Sequence, residues 1–243
     1  MSIKNIIWLV FLATACQTVT IKQEKYSVSE SPATLGSIGQ SRSMMGLKND
    51  FDARTLPALH NKIRLTVEIV PFTKSLNKIY TKKARYHQSL PTNNYIDSLA
   101  QKPELVTFKI FDVSTYIGEL NAEYNDQILQ LLADTKKCTI ISSIAVNLSK
   151  EDLDKLRLAD TYYLVNEQDK KYTVALFKQG KKIESIDLDT ATVIAYRLGT
   201  FCWALNDRGK SYVADIAEQG RGCNGKTDSR ITEKQKAKNL YRM

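Results

Sequence analysis

Histidine is scarce in this chain. His60 and His87 are the two it has in 243 residues, and neither has a partner at helical or strand spacing. That weighs against a histidine-built metal centre, and it leaves any cysteine or serine nucleophile short of its usual base. Cys-x-x-Cys does not occur among the four cysteines, nor does Gly-x-Ser-x-Gly, His-Glu-x-x-His or a phosphate-cradling glycine loop. The glycine-rich stretch 220–225 fits no dinucleotide or Walker spacing and reads as an irregular turn. Neighbouring carboxylates such as Glu151 with Asp152, or Asp187 with Asp189, are of a kind most soluble proteins carry. A general acid needs a shifted pKa, which a sequence does not display. No catalytic set, metal or cofactor is therefore expected. Long apolar runs are missing too. Residues 6–15 form the main one, and a membrane-crossing helix needs about 20 residues for a core of ~30 Å.

What remains is globular in composition, with 43% hydrophobic and 25% charged residues. The length suits one domain with tails. The formal charge is +9, which favours association with anionic neighbours and otherwise serves solubility.

The N-terminal residues have their own grammar. Lys4 precedes the apolar run 6–15, which only Thr14 interrupts. A short basic start, a short apolar stretch and small residues before a cysteine make a secretory signal peptide. Leu12-Ala13-Thr14-Ala15-Cys16 resembles the lipobox of bacterial lipoproteins, although Ala13 stands where that class prefers leucine. Members carry small residues before an invariant cysteine, which receives diacylglycerol and becomes the new N-terminus. The resemblance covers the first sixteen residues only. It implies a signal peptide at 1–15, acylation (palmitate-type chains) at Cys16 and a cell-envelope location. Gln17 follows the cysteine, where enterobacterial members retained at the inner membrane carry Asp, so the outer membrane is favoured over the inner. Two or three acyl chains hold a protein stably, at ~0.8 kcal/mol per buried methylene. Ordinary cleavage after Ala15, leaving Cys16 as a plain thiol, is the alternative.

Residues 16–60 are rich in Ser, Thr, Gln, Lys and Gly and lack a sustained apolar period. They are expected to form a lipidated polar tether, with Phe51 docking locally. The domain is expected at 61–223. Ile63, Leu65, Val67 and Ile69 alternate with polar residues as a half-buried strand does. The basic segment after Pro71 reads as helix or loop. Residues 105–113 form a second strand, and 115–134 carry apolar residues at steps of three and four, predicting one helix capped by Ser114. Residues 138–146 read as a strand buried on both faces. Ser149 opens a short helix to about Ala159. Three strands at 161–167, 172–178 and 182–188 follow as a meander with hairpin-sized turns. Residues 190–206 are expected to be helical, from Ile194, Leu198, Phe201 and Leu205, although Thr192, Val193 and Ile194 argue for a strand. A last strand lies at 212–216, and 224–243 form a basic tail. The fold class expected is α+β, a mixed sheet with packed helices and a C-terminal strand meander.

In an oxidising compartment a cysteine pair closes if geometry allows. Cys202 with Cys223 is the preferred pair, because Cys138 lies in an apolar strand; three unpaired thiols are the alternative. The basic clusters Lys74, Lys78, Lys82, Lys83 and Arg85, with Lys234, Lys236 and Lys238 in the tail, are candidate contacts for anionic lipid or an envelope polymer. A solvated face is the bland alternative. Their mixture with aromatic residues also suits nucleic acid, which an exported protein seldom meets. The functional expectation is a membrane-anchored envelope lipoprotein with a non-enzymatic binding or assembly role, its partner an unknown envelope protein. An envelope hydrolase without a readable motif, and a secreted toxin or adhesin, stay open.

Overall fold

Alternating apolar residues become one large sheet in the computed structural model, which describes residues 18–29, 33–42, 50–86, 95–98, 102–135, 137–168 and 171–231. Its strands are β1 (Thr18–Ile21), β2 (Glu24–Val28), β3 (Ile38–Arg42), β4 (Asp50–Thr55), β5 (Ile63–Pro71), β6 (Glu104–Ile110), β7 (Thr139–Asn147), β8 (Thr161–Gln168), β9 (Lys171–Lys178), β10 (Lys181–Asp187), β11 (Thr192–Leu205) and β12 (Ser211–Glu218). The helices are α1 (Lys74–Tyr86), α2 (Val113–Leu120), α3 (Asp126–Asp134) and α4 (Lys150–Leu158). The main path through the sheet runs β1-β2-β11-β7-β6-β5-β8-β9-β10, with β12 beside β11 and the β3–β4 hairpin beside β7.

Every pairing among the described strands is antiparallel. This corrects the expected α+β class and its mixed sheet: the architecture is β-rich, with four helices against twelve strands among the described residues. Two segments account for the difference. Residues 192–205, expected to be helical, form β11, which pairs with β7 on one side and with β2 and then β12 on the other. Both its faces are buried, so its apolar residues run almost without a break, and a spacing of three or four arises by coincidence. At Gly199 a Cβ would come within 2.6 Å of Ile216 Cγ2 on β12. The second segment is the expected tether. Residues 18–29, 33–42 and 50–60 are not a free linker: they supply β1 to β4 and bury Val19, Ile21, Tyr26, Leu35, Ile38 and Phe51. The packed domain therefore begins by residue 18.

The two faces of the sheet carry separate cores. On β5 and β6, Ile63, Leu65, Val106, Phe108 and Ile110 point to the larger core, which α2, α3 and α4 cover with Tyr116, Leu120, Leu132 and Leu156. Val70 and Leu105 point the other way, to a smaller core closed by Leu76 and Tyr80 of α1 and by Val19, Ile21 and Tyr26 of the β1–β2 hairpin.

The helix expected at 115–134 is broken. Asp112, not Ser114, caps α2, accepting from the Thr115 amide at 3.0 Å. The chain then passes through a 3-10 turn, Glu123–Asn125, before α3. Side-chain amides explain the break. Asn121 bonds both the N–H and the C=O of Val213, at 3.0 and 2.7 Å, as a strand partner would. Buried Asn125 does the same for Ala58, at 3.0 and 2.9 Å. Ser149 caps α4 as expected.

At the C-terminal end, Cys202 of β11 is bonded to Cys223, with the Cα atoms 5.6 Å apart. Closing a loop of this size stabilises by about 3 kcal/mol in the chain-entropy model. Asp228 returns to β11 in an isolated bridge with Trp203, so the start of the expected basic tail is held against the sheet.

Candidate polar groove on the sheet

The face that α1 covers is apolar at one end and polar at the other. Cross-strand register aligns Thr66 with Lys109, Lys109 with Ser143 and Ser143 with Arg197. Tyr26 continues the row on β2, one position from the Ser27–Tyr196 pair. Side chains in one such row share a face. A polar strip thus crosses five strands beside the apolar patch under α1.

Arg197 anchors the strip. It is 8% exposed, and its Nη1 lies 2.5 Å from a Glu24 carboxylate oxygen. Lys109 Nζ reaches Glu218 at 2.6 Å and Glu24 at 3.2 Å, and Arg197 Nη2 approaches Glu218 at 3.9 Å. Two cations and two carboxylates thereby form a closed quartet joining β2, β6, β11 and β12. The Arg197 guanidinium also sits over the Tyr26 ring, 5.8 Å from its centroid, and Tyr26 shares a buried 3.0 Å hydrogen bond with Ser143. Arg197 Nε is buried without a partner, a desolvation cost that favourable packing has to offset.

The quartet sets its own ionisation. Burial alone lowers the Lys109 pKa, but hydrogen bonds to Glu218 and Glu24 outweigh it and hold the ammonium above its ordinary value. The bond from Lys109 draws Glu218 below the usual carboxylate range against burial. Tyr26 is pushed up, chiefly by burial.

Beside this strip opens a cleft of about 490 Å³, lined by Tyr26, Lys109 and Glu218, by Ile21, Lys22 and Glu24 of the β1–β2 hairpin, and by Thr66, Glu68, Thr107 and Phe111. Lys22 and Glu68 pair across it at 3.3 Å. A second cleft of about 210 Å³ adjoins it between β5 and the start of β8, and Thr66 and Phe111 line both. Phe111 is 62% exposed, with the Arg64 guanidinium 5.4 Å from its ring centroid. Every charged group in the larger cleft has an opposite charge beside it. The walls offer fixed hydrogen-bond donors and acceptors, with one exposed aromatic ring, Phe111, at the margin.

A further carboxylate, outside the cleft, is tied up in the fold. Glu119 is buried and accepts from the His60 and Asn61 amides, from Asn61 Nδ2 at 2.6 Å and from Tyr124 at 2.9 Å. Burial raises its pKa, but these donors more than reverse the effect and leave it lowered. The Tyr124 phenol, desolvated and bonded to this carboxylate, is pushed up to about 12. The His60 ring stacks on Tyr124 at 3.9 Å. Glu119 thus clamps the 58–61 turn to α2. Among the described residues no group of three or more His, Cys, Asp or Glu is arranged to hold a metal.

The residues singled out from sequence fall elsewhere. Lys74, Lys78 and Lys82 stand exposed along α1, one turn apart. Lys83 does not join them: its ammonium turns inward onto the carbonyls of Ser29 and Val193, at 3.1 and 2.5 Å. Cys16, Lys234, Lys236, Lys238 and the side chain of Arg85 lie outside the described residues. The groove itself was missed. Its charges are single residues far apart in sequence, and the available signal was a lone cation inside an apolar strand, Lys109 in β6 and Arg197 in β11.

Comparison with protein-family models, with curated proteins and with solved structures gave no match.

Proposed function

We propose that this protein is exported, held on a bacterial membrane by a lipid on Cys16, and acts there by binding an envelope component. The observation that carries the reading is the conjunction of two independent marks of export. One is the apolar run ending in Leu12-Ala13-Thr14-Ala15-Cys16. The other is the Cys202–Cys223 bridge, a bond that persists in oxidising compartments and is rare in the cytosol. Lys74, Lys78 and Lys82, exposed on α1 with no ion pair among the described residues, supply a basic stripe of the kind that meets anionic headgroups or polymers, at about 1 kcal/mol per cation near such a surface. No helix of the described residues is long and apolar enough to cross a membrane, so attachment in this reading rests on the lipid.

The test is the intact mass of the mature protein, wild type beside Cys16→Ala, with membrane fractionation. The reading expects a wild-type chain that starts at Cys16, carries diacylglycerol and sediments with membranes, and a variant that does none of these. An unmodified Cys16 in a soluble wild-type protein contradicts it.

A further inference from the structure

We infer that the groove between the β1–β2 hairpin and the β5–β6 ridge binds an uncharged oligosaccharide chain. The inference rests on the groove and not on the lipid anchor.

Charge narrows the choice first. Lys22 and Lys109 are both occupied by carboxylates, and the lining holds three glutamates to two lysines. Within the larger cleft an anionic ligand meets no free cation. A cation meets carboxylates already neutralised by Arg197, Lys109 and Lys22. An apolar molecule would strip water from paired charges without replacing its hydrogen bonds. An added peptide strand needs a free backbone edge, and β6, which supplies Thr107 and Lys109 to the cleft, is hydrogen-bonded on both sides.

A saccharide meets none of these objections. Each hydroxyl both donates and accepts, so it can donate to Glu24, Glu68 or Glu218 and accept from Lys22 or Lys109 while the ion pairs stay intact. The C–H face of a pyranose ring is apolar and flat, and Phe111 presents a matching ring that the fold leaves 62% exposed. The Arg64 guanidinium lies 5.4 Å from the centroid of that ring. The two clefts meet at Thr66 and Phe111, so the site is elongated across a ridge and fits consecutive sugar units better than one. The larger cleft, about 490 Å³, is within the range usual for small-ligand sites.

The experiment uses the full-length chain carrying Cys16→Ala, so the outcome is independent of lipidation. Chitotetraose, cellotetraose and maltotetraose are titrated separately into isotope-labelled protein, with tetragalacturonate as an anionic comparator and a random decapeptide pool as a peptide comparator. At least one neutral tetrasaccharide is expected to shift the amides of Thr66, Lys109 and Phe111. Phe111→Ala is expected to weaken that binding about tenfold or more, and Ile183→Ala, at the far edge of the sheet on β10, to leave it unchanged. Phe111 is exposed, so its truncation spares the core, and an unchanged unfolding midpoint checks this. No shift at these amides with any of the three neutral probes at millimolar concentration overturns the inference. So does tighter binding of the anionic tetramer, or of the peptides, in the same groove.

Discussion

Under α1 the sheet is lined by Val70, Leu105, Ala145, Ile194 and Ala195; a few residues along the same strands it is lined by Thr66, Lys109, Ser143 and Arg197. The first half is sealed by a helix and the second borders an open cleft, which Thr66 and Lys109 line. Stability alone does not explain the second. Replacing buried ion pairs with apolar groups of similar size is often neutral or stabilising, and the first half shows how these strands are packed when burial decides. The quartet's cost, including an unpartnered Arg197 Nε, is retained on the half that borders the open cleft. That difference is the reason to place function at the polar end.

The comparison can be broken at its strongest point first. Phe72 is buried in the sealed half with its ring edge-on to Tyr80, at 5.8 Å. Phe72→Ala is expected to cost about 3–5 kcal/mol, read from urea unfolding, with little dependence on salt and little effect on the groove. Arg197→Ala is expected to cost about 2 kcal/mol, because it removes charge-assisted hydrogen bonds and leaves Glu24 and Glu218 sharing Lys109 alone. Added salt should narrow that gap, since the carboxylates are partly exposed. Replacing all four members by methionine should restore much of the stability while removing saccharide binding. If the fourfold variant is no more stable than Arg197→Ala, the quartet belongs to the fold and the contrast between the halves fails.

Acid sharpens the contrast more gently. Glu218 and Glu119 both hold their protons less tightly when folded than at the ordinary value of 4.5. Between the folded and ordinary values the unfolded chain binds more protons, so stability rises with pH there. Their contribution is complete above about pH 5 and drains as pH falls through the lowered folded values. Urea midpoints across that window should drop, and Glu218→Gln should flatten part of the drop. The smallest effect is expected on α1. Lys74→Gln, Lys78→Gln and Lys82→Gln should each change stability by no more than about 0.5 kcal/mol. Together they should weaken flotation of the protein with anionic vesicles, and an unchanged flotation would remove α1 from the proposed membrane contact.

The halves also differ in how far the sequence disclosed them. Strands with one buried face were legible: Ile63, Leu65, Val67 and Ile69 alternate, and the meander at 161–188 is punctuated by its turns. Ser149 and the Cys202–Cys223 pair were legible because a cap and a bridge each depend on few residues. β11 was not, because a strand buried on both faces loses its period of two, and here Ile194, Leu198, Phe201 and Leu205 also step by three and four as a helix does. The N-terminal strands were not, because Val19, Ile21, Tyr26 and Ile38 are too few among Ser, Gln and Lys to signal a core. They become stable by pairing with β11 and β7, far away in sequence. The groove was least legible of all. Glu24, Lys109, Arg197 and Glu218 are brought together by strand order alone, which composition and spacing do not encode.

Both halves depend on the β1–β2 hairpin. It supplies Val19, Ile21 and Tyr26 to the sealed core and Lys22 and Glu24 to the groove wall. Amide hydrogen exchange over residues 24–29 of the full chain tests this most directly, above all at Ser29, whose N–H donates to the Ile194 carbonyl at 3.0 Å. Protection there approaching that of β7 and β11 is the expected result. Exchange at the rate of an unstructured chain would contradict it, returning these residues to a tether and leaving the groove without one of its walls.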